Sequence, residues 1–180
     1  MKRARWMIAV AGLALVLVLA NWDIAQKRAV IADGQVLLLE LRPVDPRSLM
    51  QGDYMRLDYA IARELARHED WPNDGRIIVV NDENGVARFV RRAEPGAALG
   101  AAEHLLRYRR RAGLIRIGTD AFFFQEGLSG LYNGARYGEL RVDADGEGLL
   151  IGLRDRDRRP IVVPTTASSP EEQAPPALPR

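Results

Sequence analysis

The chain has 180 residues, a formal net charge of +2, two histidines and no cysteine. That composition excludes disulfides, thiolate metal sites and cysteine nucleophiles, and it carries no strong overall field to attract a polyanion. The basic residues are almost all arginine, and Lys2 and Lys27 are the only lysines.

The N-terminus places Lys2, Arg3 and Arg5 before an apolar run from Trp6 to Ala20, which Asn21, Trp22 and Asp23 close. Positive charge ahead of an apolar helix predicts a cytoplasmic N-terminus and an exported remainder. Two outcomes are open. Val18-Leu19-Ala20 fits cleavage after Ala20, whereas Trp6 and Trp22 fit the two interfaces of a retained helix that continues to Ala25. The retained transmembrane helix is preferred, with an anchor over residues 1–27 and membrane attachment through it. The expected location is the bacterial inner membrane, single-pass, with the C-terminal domain periplasmic.

Residues 28–163 read as one mainly β domain. Gln35 to Leu41 is a short apolar strand, and Pro43, Asp45 and Pro46 make the next stretch a loop. Tyr54 to Tyr59 alternates, with Met55, Leu57 and Tyr59 on one face. Ala60 to His68 has helical spacing. Two hairpins are expected, Arg76–Val80 with Val86–Val90 across Asp82-Glu83-Asn84-Gly85, and Glu139–Val142 with Glu147–Leu153 across Asp143-Ala144-Asp145-Gly146. Leu105–Arg111 and Leu114–Ile117 are further strands split by Ala112-Gly113, and Leu128–Arg136 is a short helix. The expected fold is an antiparallel sandwich or partly open barrel with two or three short helices. Residues 164–180, rich in Pro, Ser and Glu, read as a disordered tail.

Several segments resemble one family. Gly52-Asp53-Tyr54-Met55-Arg56-Leu57-Asp58-Tyr59 matches every fixed position of the motif that names the GDYXXLXY family. Tyr108-Arg109-Arg110-Arg111, the stretch Gly118 to Gly127, and Ala135-Arg136-Tyr137-Gly138-Glu139 are similar to that family's pattern. The resemblance implies a bacterial protein with one N-terminal anchor and a possible multi-span membrane partner. It implies no reaction.

Candidate binding residues come from three places. In the motif, Asp53 and Tyr54 are candidates for a cleft, with Tyr59 beside them, although a turn-and-strand structural role is the preferred reading of the motif. In Phe122-Phe123-Phe124-Gln125-Glu126-Gly127, alternation forbids all three aromatics from sharing one core. Burial on both faces is the expectation there, with Phe123 and Glu126 as candidates should a partner cover one side. On Leu105–Arg111, Arg107, Arg109 and Arg111 share a face, with Tyr108 and Arg110 opposite. A solvated sheet face is the preferred reading of this row, with Arg109 and Arg111 as candidates for anionic lipid or another anion. Arg154 to Arg159 reads as a solvated face.

Catalysis is not expected. A serine–lysine mechanism using Ser48 lacks its base, because no lysine follows Lys27. A His-rich zinc site is unavailable, and no cofactor or nucleic-acid partner is expected. The leading functional expectation is a periplasm-facing accessory or binding module. The alternatives are an envelope hydrolase using a carboxylate pair among Asp53, Asp58, Asp120, Glu126 and Glu139, and a lipid or anion binder through the arginine face.

Overall fold

The structure, a computed structural model, describes residues 2–42 and 54–163. The expected loop at Pro43–Pro46, Ser48, the motif's Gly52 and Asp53, and the expected disordered tail lie outside the described residues.

Helix α1 spans Lys2–Asp33. At 1.5 Å per residue it is about 48 Å long. Its segment Val10–Asp33 has mean hydropathy 1.3 and none of it is buried in the protein. Leu13, Leu15, Leu17 and Leu19 are all exposed. From Val10 to Ala20 the helix is apolar on every side and exposed. It is long and apolar enough to cross a membrane. It also runs past the expected end at residue 27, and only Gly34 separates it from the first strand.

Among the described residues nine strands and two short helices follow: β1 (Gln35–Glu40), β2 (Tyr54–Arg56), α2 (Ala60–Ala66), β3 (Asp74–Asn81), β4 (Ala87–Arg92), β5 (Glu103–Arg111), β6 (Leu114–Arg116), β7 (Ala121–Phe123), α3 (Ser129–Tyr132), β8 (Tyr137–Val142) and β9 (Gly148–Arg154). The strand order is β1-β8-β9 in one sheet and β4-β3-β5-β6 in a second, with β2-β7 as a two-stranded ribbon. Every ladder within these sheets is antiparallel.

The two larger sheets enclose one core. Leu37 and Leu39 of β1, Leu140 and Val142 of β8, Ile77 and Val79 of β3, and Leu106 and Tyr108 of β5 share it. Met55, Leu57 and Tyr59 enter it from the motif strand, so the expected alternation holds. Each such fully buried aliphatic side chain contributes about 1.5–3 kcal/mol. Helix α2 closes one side with Ile61, Ala62 and Leu65. The sheets are stitched at two places, by a parallel bridge between Leu38 and Val86 and by Arg107 N–H donating to the Gly146 carbonyl at 2.8 Å. The result is a curled, half-closed barrel built from antiparallel sheets, as the sequence predicts.

Three turns repeat one design. Asp82 accepts at Oδ1 from the N–H groups of Asn84 and Val86, Asp143 from Asp145 and Glu147, and Asp155 from Asp157 and Arg159, all at 2.9 Å. In each, the residue three after the aspartate donates to its carbonyl and has positive φ: Gly85 at 74°, Gly146 at 88° and Arg158 at 63°. This is a type I turn with a bulge residue in the left-handed region. The third copy lies in Arg154–Arg159, where Arg156, Asp157 and Arg159 are exposed to solvent. Asp155 builds a turn there, and Arg154 pairs with Glu139 through two bonds of 2.7 and 2.8 Å.

Candidate functional site

Two surfaces gather the predicted residues. The first lies on the outer face of β5. A side chain there points out at every second position, so Arg107, Arg109 and Arg111 stand in a row while Tyr108 is fully buried beneath them. Tyr108 can lie flat only because residue 75 is glycine; a Cβ there would sit 2.6 Å from the tyrosine oxygen. The hairpin turn Ala112-Gly113, with φ of 50° and 77°, returns the chain into β6 and sets Arg116 opposite Arg109. The turn between β8 and β9 then docks against β5 and brings Glu147 over the row.

These elements enclose a cleft of about 650 Å³, lined by Arg107, Arg109, Arg111, Arg116, Asp74, Asp120 and Glu147 among others. The charges alternate. Glu147 Oε1 accepts from Arg107 and also from Arg109 at 2.9 Å. Asp74 meets Arg109 at 3.9 Å and Arg111 at 3.2 Å. Arg116 meets Asp120 at 2.9 Å. All of these side chains are substantially solvated, so each pair contributes about 0–1 kcal/mol to stability. Arg110, on the inner side of β5, instead donates to the His68 carbonyl at 2.7 Å.

The second surface is the β2–β7 ribbon, which pairs the signature strand with the aromatic one. Tyr54 is in register with Phe123 and Met55 with Phe122. Phe122 and Phe124 both turn inward onto Tyr132, each with ring centroids 5.1 Å away. Phe123 points the other way. It is 74 % exposed and lies 5.7 Å from the Tyr54 ring. The expectation that this triplet is buried on both faces is therefore corrected: alternation sends Phe123 outward, and no second layer covers it among the described residues.

The remaining candidates separate. Asp53 lies outside the described residues. Glu126 is exposed in the loop after β7. Tyr59 is 3 % exposed, packs against Gly138, and its hydroxyl has no hydrogen-bond partner among the described residues. Burial, and secondarily the charge of Asp120, pushes its phenol well above the usual tyrosine range. It is a core residue that no ligand in either surface reaches. Three of the five carboxylates considered for hydrolysis face arginines: Asp58 meets Arg42 at 3.0 Å, Asp120 meets Arg116, and Glu139 meets Arg154 at 2.7 Å. No group of three or more metal-ligating side chains occurs among the described residues.

Sequence reasoning found the arginine row but missed its partners. Asp74, Arg116, Asp120 and Glu147 come from β3, β6, the loop before β7 and the residue before β9. Only the cross-strand register, which the sequence does not display, brings them together.

The family model described as GDYXXLXY protein matches residues 16–153. The chain belongs to this family. No curated protein and no solved structure matches it.

Proposed function

We propose that this member of the GDYXXLXY family is a non-catalytic accessory module, anchored in the inner membrane, that holds its β domain on the periplasmic side and binds a multi-span membrane protein. The observation that carries the reading is Phe123, presented at 74 % exposure beside Tyr54 on the ribbon formed by the signature strand. A large aromatic held outward on a backbone fixed by its buried neighbours suits the anchor of a protein contact. Lys2 and Arg3 before an apolar helix support a cytoplasmic N-terminus. The arginine pairing of Asp58, Asp120 and Glu139 speaks against a hydrolytic carboxylate pair.

The test is in-cell photo-crosslinking from position 123, with position 90 as control, because Val90 is also exposed but lies on β4. Capture of one multi-span protein from position 123 and not from position 90 is the expected result. Equal capture from both, or none from 123, refutes the reading. A reporter enzyme active only outside the cytoplasm, fused to the C-terminus, should be active; an inactive fusion refutes the orientation.

A further inference from the structure

We propose that the arginine cleft between β5–β6 and the turn joining β8 to β9 binds a phosphate-bearing anion. Four guanidiniums converge on it, three from alternate positions of β5 and one from β6. Alternate residues on a strand are about 7 Å apart, and directly paired residues about 5 Å. Arg107, Arg109, Arg111 and Arg116 thus form a short row with one cross-member, a spacing that two linked phosphates can span.

The cleft already shows how it holds oxyanions. One oxygen of Glu147 bridges Arg107 and Arg109, and Asp74 bridges Arg109 and Arg111. These carboxylates do not saturate it. Four guanidiniums carry about 20 N–H donors, whereas three carboxylates offer about 12 acceptor sites. The lining keeps one positive charge in excess, from four arginines against Asp74, Asp120 and Glu147. The planar fork of arginine matches the paired oxygens of phosphate, and all four arginine side chains remain partly exposed. A volume of about 650 Å³ accommodates a diphosphate or a phospholipid headgroup.

Two sources present this chemistry. The turn from Asp143 to Glu147 begins at Val142, which packs on Gly34 at the end of α1. One wall of the cleft therefore stands at the end of the domain where the anchor enters, and either a lipid headgroup or a soluble phosphate compound can be the natural occupant.

The full chain in phosphatidylcholine nanodiscs, titrated with inorganic pyrophosphate by calorimetry, tests the site. Saturable single-site binding that weakens with added salt is expected. Arg109→Lys keeps the charge but loses the fork, and Arg116→Ala removes the cross-member; each should weaken binding about tenfold. Glu147→Gln removes a competing charge and should tighten it. Replacing part of the phosphatidylcholine by phosphatidylglycerol separates the sources. Weaker pyrophosphate binding in those discs assigns the cleft to headgroups, and unchanged binding assigns it to a soluble ligand. Absence of saturable binding by the wild-type chain, or binding that both Arg109→Lys and Arg116→Ala leave intact while circular dichroism shows them folded, overturns the proposal.

Discussion

The three aspartate turns form a controlled series, because their hydrogen bonds are the same and only the bulge residue and its surroundings differ. Gly85 has φ 74° with nothing within 4 Å of an added Cβ, whereas at Gly146, φ 88°, that Cβ would meet Arg107 N, Leu105 C and Leu106 N, each at 3.1 Å. A non-glycine residue in the left-handed region costs about 1–2 kcal/mol, offset by about 0.4–1 kcal/mol because alanine has less freedom to lose from the unfolded chain. Gly85→Ala should therefore destabilise by about 0.5–1 kcal/mol. Gly146→Ala carries the same conformational cost plus about 1–3 kcal/mol for overpacking against β5 backbone that cannot move aside. Its total is about 2–4 kcal/mol. Arg158, at φ 63°, already bears the strain, so Arg158→Gly should stabilise by about 0.5–1 kcal/mol. Thermal unfolding of the full chain in detergent, followed by tryptophan fluorescence, reads these as shifts of about 3–5 °C per kcal/mol. Equal losses for Gly85→Ala and Gly146→Ala would refute the claim that the β8–β9 turn is wedged against β5. A substantial loss for Arg158→Gly would refute the claim of strain at the third turn.

Tyr59→Phe removes a buried hydroxyl with no partner among the described residues, so it should leave stability unchanged or raise it by about 1 kcal/mol, read as the urea midpoint. The same variant should blunt alkaline unfolding. Because the folded-state pKa of Tyr59 is raised, its contribution to stability is complete below the unfolded value near pH 10 and is lost as pH rises above it. Phe122→Ala should cost about 2–4 kcal/mol, since this ring packs on Tyr132 and the core, whereas Phe123→Ala should cost under about 0.5 kcal/mol, since its ring is mostly solvated. Denaturant midpoints of the two variants check the contrast. Glu139→Gln breaks a two-bond pair with Arg154 in which both side chains are largely buried, and should cost about 1–3 kcal/mol in the same assay.

What the sequence made legible was local. Asp-x-x-Gly between β-branched runs is a complete turn instruction, because the aspartate side chain and the glycine φ act within five residues, and both predicted hairpins formed where it stood. The alternation of Met55, Leu57 and Tyr59 likewise needs no distant partner. The third turn escaped because Arg158 takes the place of the glycine, and Asp155 then looks like one more charge in an arginine–aspartate run. The triplet at Phe122–Phe124 showed that one ring must turn away from its neighbours, but not whether a second layer waits there. That depends on which strand pairs with β7, and the pairing with β2 joins residues more than sixty positions apart. The arginine cleft has the same character. Three of its four cations are consecutive alternates on one strand and are visible in the sequence, while Arg116 arrives through the β5–β6 register, Asp74 through β3–β5, and Asp120 and Glu147 from the connections before β7 and β9, arrangements that no local pattern encodes.

The passage from anchor to domain bears on how a partner can be met. A Cβ at Gly34 would collide with the Val30 carbonyl and lie 3.1 Å from the Val142 oxygen, and Arg141 donates to the Gly34 carbonyl at 2.9 Å. Glycine at this position lets the helix end pack onto β8 without a linker, so the helix and the β1–β8 ladder are held directly against each other. On the proposed anchoring, with Trp22 at the membrane interface, the eleven helical residues from there to Asp33 cover about 16 Å. Strand β1 runs about 20 Å from Gln35 to Leu41, which bridges Tyr59 next to the β2–β7 ribbon. Phe123 therefore belongs to the end of the domain remote from the anchor, while the Glu147 wall of the arginine cleft belongs to the near end. Under the proposed function a multi-span protein would meet Phe123 at the end of β1 away from the anchor, so crosslinks from position 123 should map to its soluble loops and not to its spans.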